Sequence, residues 1–313
     1  MEFGPRYAES GSKEARRARE EAPPGSSIAW VVDGLGASDL VSVTALRGGI
    51  SSAVHRFTLR FGRDVQRVVL RRYVFPVEVA AEPSVAQHEA DALQLVAGLP
   101  LGTPRLLACD PTAAVTDVPA VLMTFLPGRT EWTPTKPGPW LEAVAAAAAA
   151  VHALVVDPAI ERDLRSFAPN EPTSMEPPAW AKQPAVWARA LELFDAGPGS
   201  DEPRVLIHRD LHPGNVLWHD GTISGLVDWQ GACLGPPSID IGHCRLNLLA
   251  YQPGWADALT AAWERRSGRR YHPWADVAAI IGLLGDLRDA PPPRDVRPTI
   301  EGALASAVAA LSG

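Results

Sequence analysis

Val205-Leu-Ile-His-Arg-Asp-Leu-His-Pro-Gly-Asn215, followed by Gly225-Leu-Val-Asp-Trp229, is the stretch that decides how this chain is read. It sets an acid (Asp210), an amide (Asn215) and a second acid (Asp228) in order along the chain. Val205 to Ile207 is a short apolar run that reads as a buried strand, and it delivers His208 and Asp210 to the strand's end. Pro213 and Gly214 then prevent a helix and force a loop. Asn215 opens a second apolar run, Val216 to Trp218. Asp220-Gly221 is a hairpin turn signal, and Ile223 to Val227 returns as the partner strand, ended by Asp228. The hairpin is expected to bring Asp228 back beside Asn215 and near Asp210. Oxygen-bearing side chains gathered in one place suit Mg²⁺, which takes a few protein oxygens together with phosphate oxygens and water. In such a site Asp210 orients an attacking hydroxyl and accepts its proton, while Asn215 and Asp228 hold the metal on nucleotide phosphates.

Blander readings exist. His208, His212 and His219 offer metal-ligand atoms, but the spacing of the first two works on a helix and Pro213-Gly214 opposes one. A plain hairpin with surface acids has no need of acids at both strand ends. Against both stands a complete match. His208, Arg209, Asp210, Leu211 and Asn215 fill every specified position of the kinase catalytic-loop pattern His-Arg-Asp-Leu-x-x-x-Asn. Five such residues coincide in roughly one random chain of this length in ten thousand.

On these residues the chain resembles the aminoglycoside phosphotransferase-like (choline-kinase-like) small-molecule kinases, which share the protein-kinase fold. Trp229 follows the second acid where protein kinases carry Phe-Gly. Gly235-Pro-Pro-Ser-Ile-Asp240 matches a downstream segment of the family, and the Asp240 position is one that braces the catalytic loop there; a plain helix N-cap is the other role open to it. No Ala-Pro-Glu segment is present, which favours a small-molecule acceptor over a protein. The resemblance spans roughly residues 28 to 290. It implies an α+β, protein-kinase-like two-lobed fold, with a five-stranded antiparallel N-lobe sheet and one main helix in residues 28–126. Residues 127–313 form a mostly helical C-lobe, and residues 1–27 a disordered arm or a frayed helix.

The N-lobe can be traced. Val41 to Leu46, Val54 to Phe61 and Gln66 to Tyr73 read as strands, with the small-residue loop Arg47 to Ala53 between the first two. Backbone N–H groups at Gly48, Gly49, Ser51 and Ser52 can approach phosphates there. Kinases carry a Lys on the third strand; here the position falls on Arg71 or Arg72, and Arg binds phosphate oxygens in a forked geometry. A helix begins at Ser84 with Gln87 completing a capping box. Glu89 falls on its apolar face with Val85 and Leu93. A carboxylate there needs a cation, and Arg71 is the expected partner. Pro119 to Gly128 reads as the last N-lobe strand and hinge, where Thr124 and Leu126 would meet the nucleotide base. Further helices are expected near 141–155, 180–195, 239–250, 254–267, 274–288 and 298–311, with a Pro-rich loop or lid over 156–178.

Composition sets the outer bounds. The 313 residues are 46% apolar and 21% charged, which supplies a sizeable core. The net charge of −7 opposes a nucleic-acid surface. Cys109, Cys233 and Cys244 form no metal spacing and read as free thiols in a reducing, cytoplasmic setting. No apolar run reaches membrane-spanning length, and the N-terminus carries no secretory signal. The expected activity is transfer of the γ-phosphoryl group of ATP or GTP, with Mg²⁺, to a hydroxyl of a small molecule, an aminoglycoside-like antibiotic or a metabolite alcohol. The alternative is a nucleotide-binding pseudokinase or regulatory module.

Overall fold

A computed structural model describes residues 13–46, 52–162, 164–172, 174–199, 202–249 and 252–313. The chain divides into two compact units. One holds the described residues up to Arg129 together with Leu217–Gly231; the other holds Thr130–Val216 and Ala232–Gly313.

The first unit is built on an antiparallel sheet of β1 (Asp39–Ala45), β2 (Ala53–Phe61), β3 (Asp64–Arg72), β4 (Leu106–Asp110) and β5 (Ala120–Thr124), in the order β1-β2-β3-β5-β4. Alternation along β2 buries Ala53, His55, Phe57 and Leu59 and turns Arg56, Thr58 and Arg60 the other way, the period of a half-buried strand. Phe57, Leu59, Val68, Leu70, Ala120 and Leu122 form the core of one face. Ahead of the sheet lie α1 (Lys13–Glu20) and α2 (Gly25–Gly34). They fall partly within residues 1–27, expected as a disordered arm or a frayed helix. Val31 of α2 joins the sheet core, and buried Ser27 donates its hydroxyl to Asp117. The reason is apolar: Ile28, Trp30, Val31 and Val32 cover the sheet. After β3 come α3 (Pro76–Ala81) and α4 (Val85–Val96). Ser84 is the N-cap of α4 as expected, but its side chain makes no capping hydrogen bond. Gln87 instead donates to Asp91 one turn on. The capping box thus marks the helix start without forming.

The same unit contains, from Leu217 on, the hairpin of strands Val216–His219 and Thr222–Leu226. Asp220 and Gly221 are both left-handed (φ 49° and 75°), as a two-residue hairpin turn of the favoured type requires. A side chain at Gly102 would meet the Ser224 carbonyl oxygen at 1.9 Å, and Leu226 donates its N–H to the Gly102 carbonyl. Glycine is needed there because two backbones touch.

The second unit is helical: α5 (Pro137–His152), α6 (Pro158–Glu161), α7 (Pro184–Asp195), α8 (Ser238–Leu249), α9 (Pro253–Ser267), α10 (Trp274–Ile281), α11 (Leu284–Asp289) and α12 (Arg297–Ser312). The strands Val205–Ile207 and Cys233–Gly235 pair antiparallel within it. Ile207, Cys233, Ile239, Trp274, Ala275 and Ala278 pack as one cluster. Two expectations shift. The helix read over 274–288 is two helices broken at Gly282, and the Pro-rich 156–178 stretch includes α6 and a bridge from Ser166 to Leu234. Gly242 lets α8 lie directly on α10, since a Cβ there would sit 2.7 Å from the Ala275 carbonyl. All three cysteines are free. Among the described residues no helix is long and apolar enough to cross a membrane.

Candidate active site

Asp210 lies in the second unit, on the loop that follows Val205–Ile207. The preceding residue, Arg209, is held at φ 68°, a region that costs a side-chain-bearing residue of order 1–3 kcal/mol. The loop keeps that shape because Asp240, fully buried in the first turn of α8, reaches across to it. Its Oδ2 accepts the His208 N–H at 2.8 Å and its Oδ1 accepts the Arg209 N–H at 2.6 Å. His152 of α5 also meets Asp240, and Trp263 of α9 donates its indole N–H to the far side of that ring. Burial pushes the Asp240 carboxyl up; His152 and the His208 N–H more than offset it, and the group sits below the usual range. Asp240 is thus a brace on the loop rather than a simple cap.

Both Asp210 oxygens are engaged. Asn215 donates its Nδ2 to Oδ2 and to the Asp210 carbonyl, each at 2.9 Å. His243, on α8, meets Oδ1 with its Nε2 at 3.0 Å. His212 Nε2 stands 3.7 Å from Oδ2, and its Nδ1 accepts the Gly214 N–H. Pro213–Asn215 forms one turn of 3₁₀ helix, and this short-range coil folds Asn215 back onto Asp210. Burial pushes the Asp210 carboxyl up, but His212 first and then His243 pull it well below the ordinary range. Asp210 is therefore ionised at neutral pH and able to accept a hydrogen bond from a hydroxyl.

The first unit carries a second cluster. Arg71 of β3 is buried and places NH1 2.6 Å from Asp228 Oδ1 and 3.3 Å from Glu89 Oε1. Tyr73 donates its hydroxyl to the other Glu89 oxygen at 2.8 Å. Burial opposes the Arg71 charge, yet Asp228 and Glu89 outweigh it and keep the guanidinium protonated. Arg72 points elsewhere and pairs with Asp117 at 2.5 Å. Of the two arginines, Arg71 is the one facing the α4 carboxylate. Asp228 follows the hairpin in a left-handed conformation (φ 70°), and Trp229, fully buried behind it, anchors the turn by donating its indole N–H to Leu226.

The remaining expected residues are less informative. Gly48, Gly49 and Ser51 lie outside the described residues. Ser52 is buried at the start of β2. Thr124 donates its N–H to the Arg105 carbonyl and accepts the Arg105 N–H on its hydroxyl, so these groups are spent on the neighbouring strand. The Leu126 side chain packs against Gly225, where a Cβ would come within 2.5 Å of it. The sequence reading missed His243, Tyr73 and the joint hold of His212 and His243 on Asp210. For His243 there was a signal: it lies three residues after Asp240, so both side chains leave α8 on the same face.

Asp210, His212 and His243 bring ligand-type atoms within 4.8 Å of one another. His212 Nδ1 accepts the Gly214 N–H, which leaves Nε2 as the His212 atom in this group. In the second unit the Asn215 amide nitrogen is spent on Asp210, which leaves its carbonyl oxygen over; in the first unit Asp228 has one oxygen beyond the one held by Arg71. Carboxylate and amide oxygens are the donors Mg²⁺ takes.

Comparison with known proteins places the chain in a family. The profile of a phosphotransferase enzyme family (APH) matches residues 42–276. A homoserine kinase from Gluconacetobacter diazotrophicus is 33% identical over 143 residues, 40% of this chain; the match spans 41% of that relative's length. A homoserine kinase from Acidiphilium cryptum is 26% identical over 75% of this chain and 73% of its own. Among solved structures, a thermostable mutant of an aminoglycoside phosphotransferase, in ternary complex with ADP and hygromycin B, superposes with a TM-score of 0.60 at 17% identity, covering 91% of this chain and 98% of its own.

Proposed function

Because this chain belongs to the phosphotransferase enzyme family, we propose that it transfers the γ-phosphoryl group of ATP to a hydroxyl of a small molecule. The observation that carries this reading is the Asp210 carboxylate, ionised and held by Asn215 on a loop braced by Asp240. Phosphoryl transfer passes through a loose transition state with little covalent work for the protein, so positioning and charge dominate. A carboxylate of low basicity suits that demand. Asp210 orients the acceptor hydroxyl in line and takes its proton late, once the oxygen has begun to bond to phosphorus. Asn215 and Asp228 are the residues assigned to Mg²⁺, which would neutralise phosphate charge when bound. Arg71, steadied by Glu89 and Tyr73, presents a fixed positive charge to the nucleotide phosphates. The small-residue loop with Gly48, Gly49, Ser51 and Ser52, and the hinge residues Thr124 and Leu126, are assigned to the nucleotide.

The names of the relatives make L-homoserine the first acceptor to test and hygromycin B the second. The experiment is a panel of small alcohols with ATP and with GTP in the presence of Mg²⁺, followed by ³¹P NMR for a new phosphate monoester. A new ester with one acceptor supports the proposal. Tight Mg·ATP binding with no ester from any acceptor would overturn it in favour of a nucleotide-binding module without catalysis.

A further inference from the structure

We propose that His243 is a positioning residue for Asp210: its Nε2–H fixes the carboxylate so that the acceptor hydroxyl meets an oriented oxygen. The inference rests on the kinase reading above for what Asp210 does. It comes from how the carboxylate is held. The Asp210 side chain is about 40% exposed, so packing alone does not stop it rotating. Asn215 holds Oδ2 at 2.9 Å, and a single held oxygen leaves the carboxylate free to swing about that contact. His243 closes the second point at Oδ1, 3.0 Å away. An ionised carboxylate can only accept, so the proton of this bond belongs to Nε2. Two donors on two different oxygens set both the position and the plane of the group. Each carboxylate oxygen still has a lone-pair direction for a hydroxyl.

His212 does not replace it, since its Nε2 approaches Oδ2, the oxygen Asn215 already holds, at 3.7 Å, and leaves Oδ1 to His243. The backbone behind His243 is rigid for a specific reason. His243 shares α8 with Asp240, three residues before it, and Asp240 is tied to the loop bearing Asp210 by two short bonds. One helix thus sets the loop's backbone and its functional side chain together. Asn247, on the next turn, donates to the His243 carbonyl at 3.1 Å, and Gly242 beside it seats the helix against Ala275.

The test uses the full chain with His243→Ala, His243→Gln and Asp210→Asn. Rates are measured with the acceptor found in the panel and with water, as ATP hydrolysis, alongside thermal unfolding. Gln places an N–H donor near the position of Nε2. His243→Ala is expected to lower kcat by about 10²-fold, the scale of an ångström-level misplacement, with KM for Mg·ATP and the unfolding temperature unchanged. His243→Gln is expected to recover most of the loss. If the Ala variant melts early, His243→Asn replaces it: the shorter amide falls short of Oδ1, and it should be slow where Gln is fast. An Ala variant as fast as wild type, beside an inactive Asp210→Asn, overturns this inference and leaves the kinase reading standing, and so does a Gln variant as slow as the short ones. Wild-type protein that transfers phosphate to neither water nor any alcohol overturns both.

Discussion

The Arg209 backbone N–H donates to Asp240 Oδ1 at 2.6 Å while Arg209 itself is held at φ 68°. The unfavourable backbone and the buried carboxylate that sustains it lie 31 positions apart in sequence, so the loop's shape is a tertiary property. Asp240→Asn replaces one acceptor oxygen with a donor aimed at another donor. Removing one partner of a buried charged network costs about 3–5 kcal/mol. We expect a loss of that size in denaturant unfolding, together with a fall in kcat of about 10²-fold.

Arg71 is shared between Glu89 and Asp228, and both Arg71 and Glu89 are buried. Arg71→Ala leaves Glu89 without its cation, with an expected cost of about 3–5 kcal/mol. Replacing the pair together, Arg71→Met with Glu89→Leu, should recover much of that stability, because an apolar pair of similar volume avoids the burial of charge. The recovered variant should still be inactive. Chemical denaturation and an ATP turnover assay on the same samples separate the structural from the catalytic share; full activity in the double variant would remove Arg71 from the mechanism.

Asp228→Asn keeps the shape of the side chain and removes its charge. The Mg²⁺ concentration for half-maximal rate should rise on the order of tenfold or more, about 1.4 kcal/mol per factor of ten. Turnover against Mg²⁺ at fixed ATP reads this directly. An unchanged curve would place the metal elsewhere.

Asp110, buried at the end of β4, accepts the N–H groups of Ala114, Val115 and Thr116 and the Thr116 hydroxyl. Burial pushes its carboxyl up, but these donors prevail and bring it down to about 2. A folded-state value below the unfolded one means that ionised Asp110 stabilises the fold. That stabilisation is full above about pH 4 and fades as pH falls towards 2. It is worth about 2 kcal/mol at neutral pH. Wild-type unfolding free energy should therefore drop across that acid window more than that of Asp110→Asn. Parallel curves for the two proteins would contradict the assignment.

Much of this was legible in the sequence because it was local. The strand Val205–Ile207, the breaker Pro213-Gly214 and the turn Asp220-Gly221 each specify their own conformation, and the spacing of Val85, Glu89 and Leu93 placed Glu89 on the buried face of α4. Choosing between Arg71 and Arg72 was beyond a single strand's pattern. It depends on Asp117, whose carboxylate captures Arg72 from the other side of the sheet. Ser27, at the end of the segment expected as a disordered arm or a frayed helix, is likewise buried and donates its hydroxyl to Asp117. The spacing of His243 from Asp240 was a signal too weak to act on alone, because a histidine three positions past an acid on a helix acquires meaning only when the loop it faces is known.

Leu217–Gly231 belongs to the same unit as the N-lobe sheet, although Thr130–Val216 is made first and folds into the other unit. A nascent chain emerging from the ribosome therefore cannot finish its amino-terminal half until Gly231 has been synthesised, and until then the Arg71 charge has Glu89 but no Asp228 to meet. A fragment ending at Arg129 should for this reason be a poor folder, a target for chaperones and proteases, whatever the quality of its sheet.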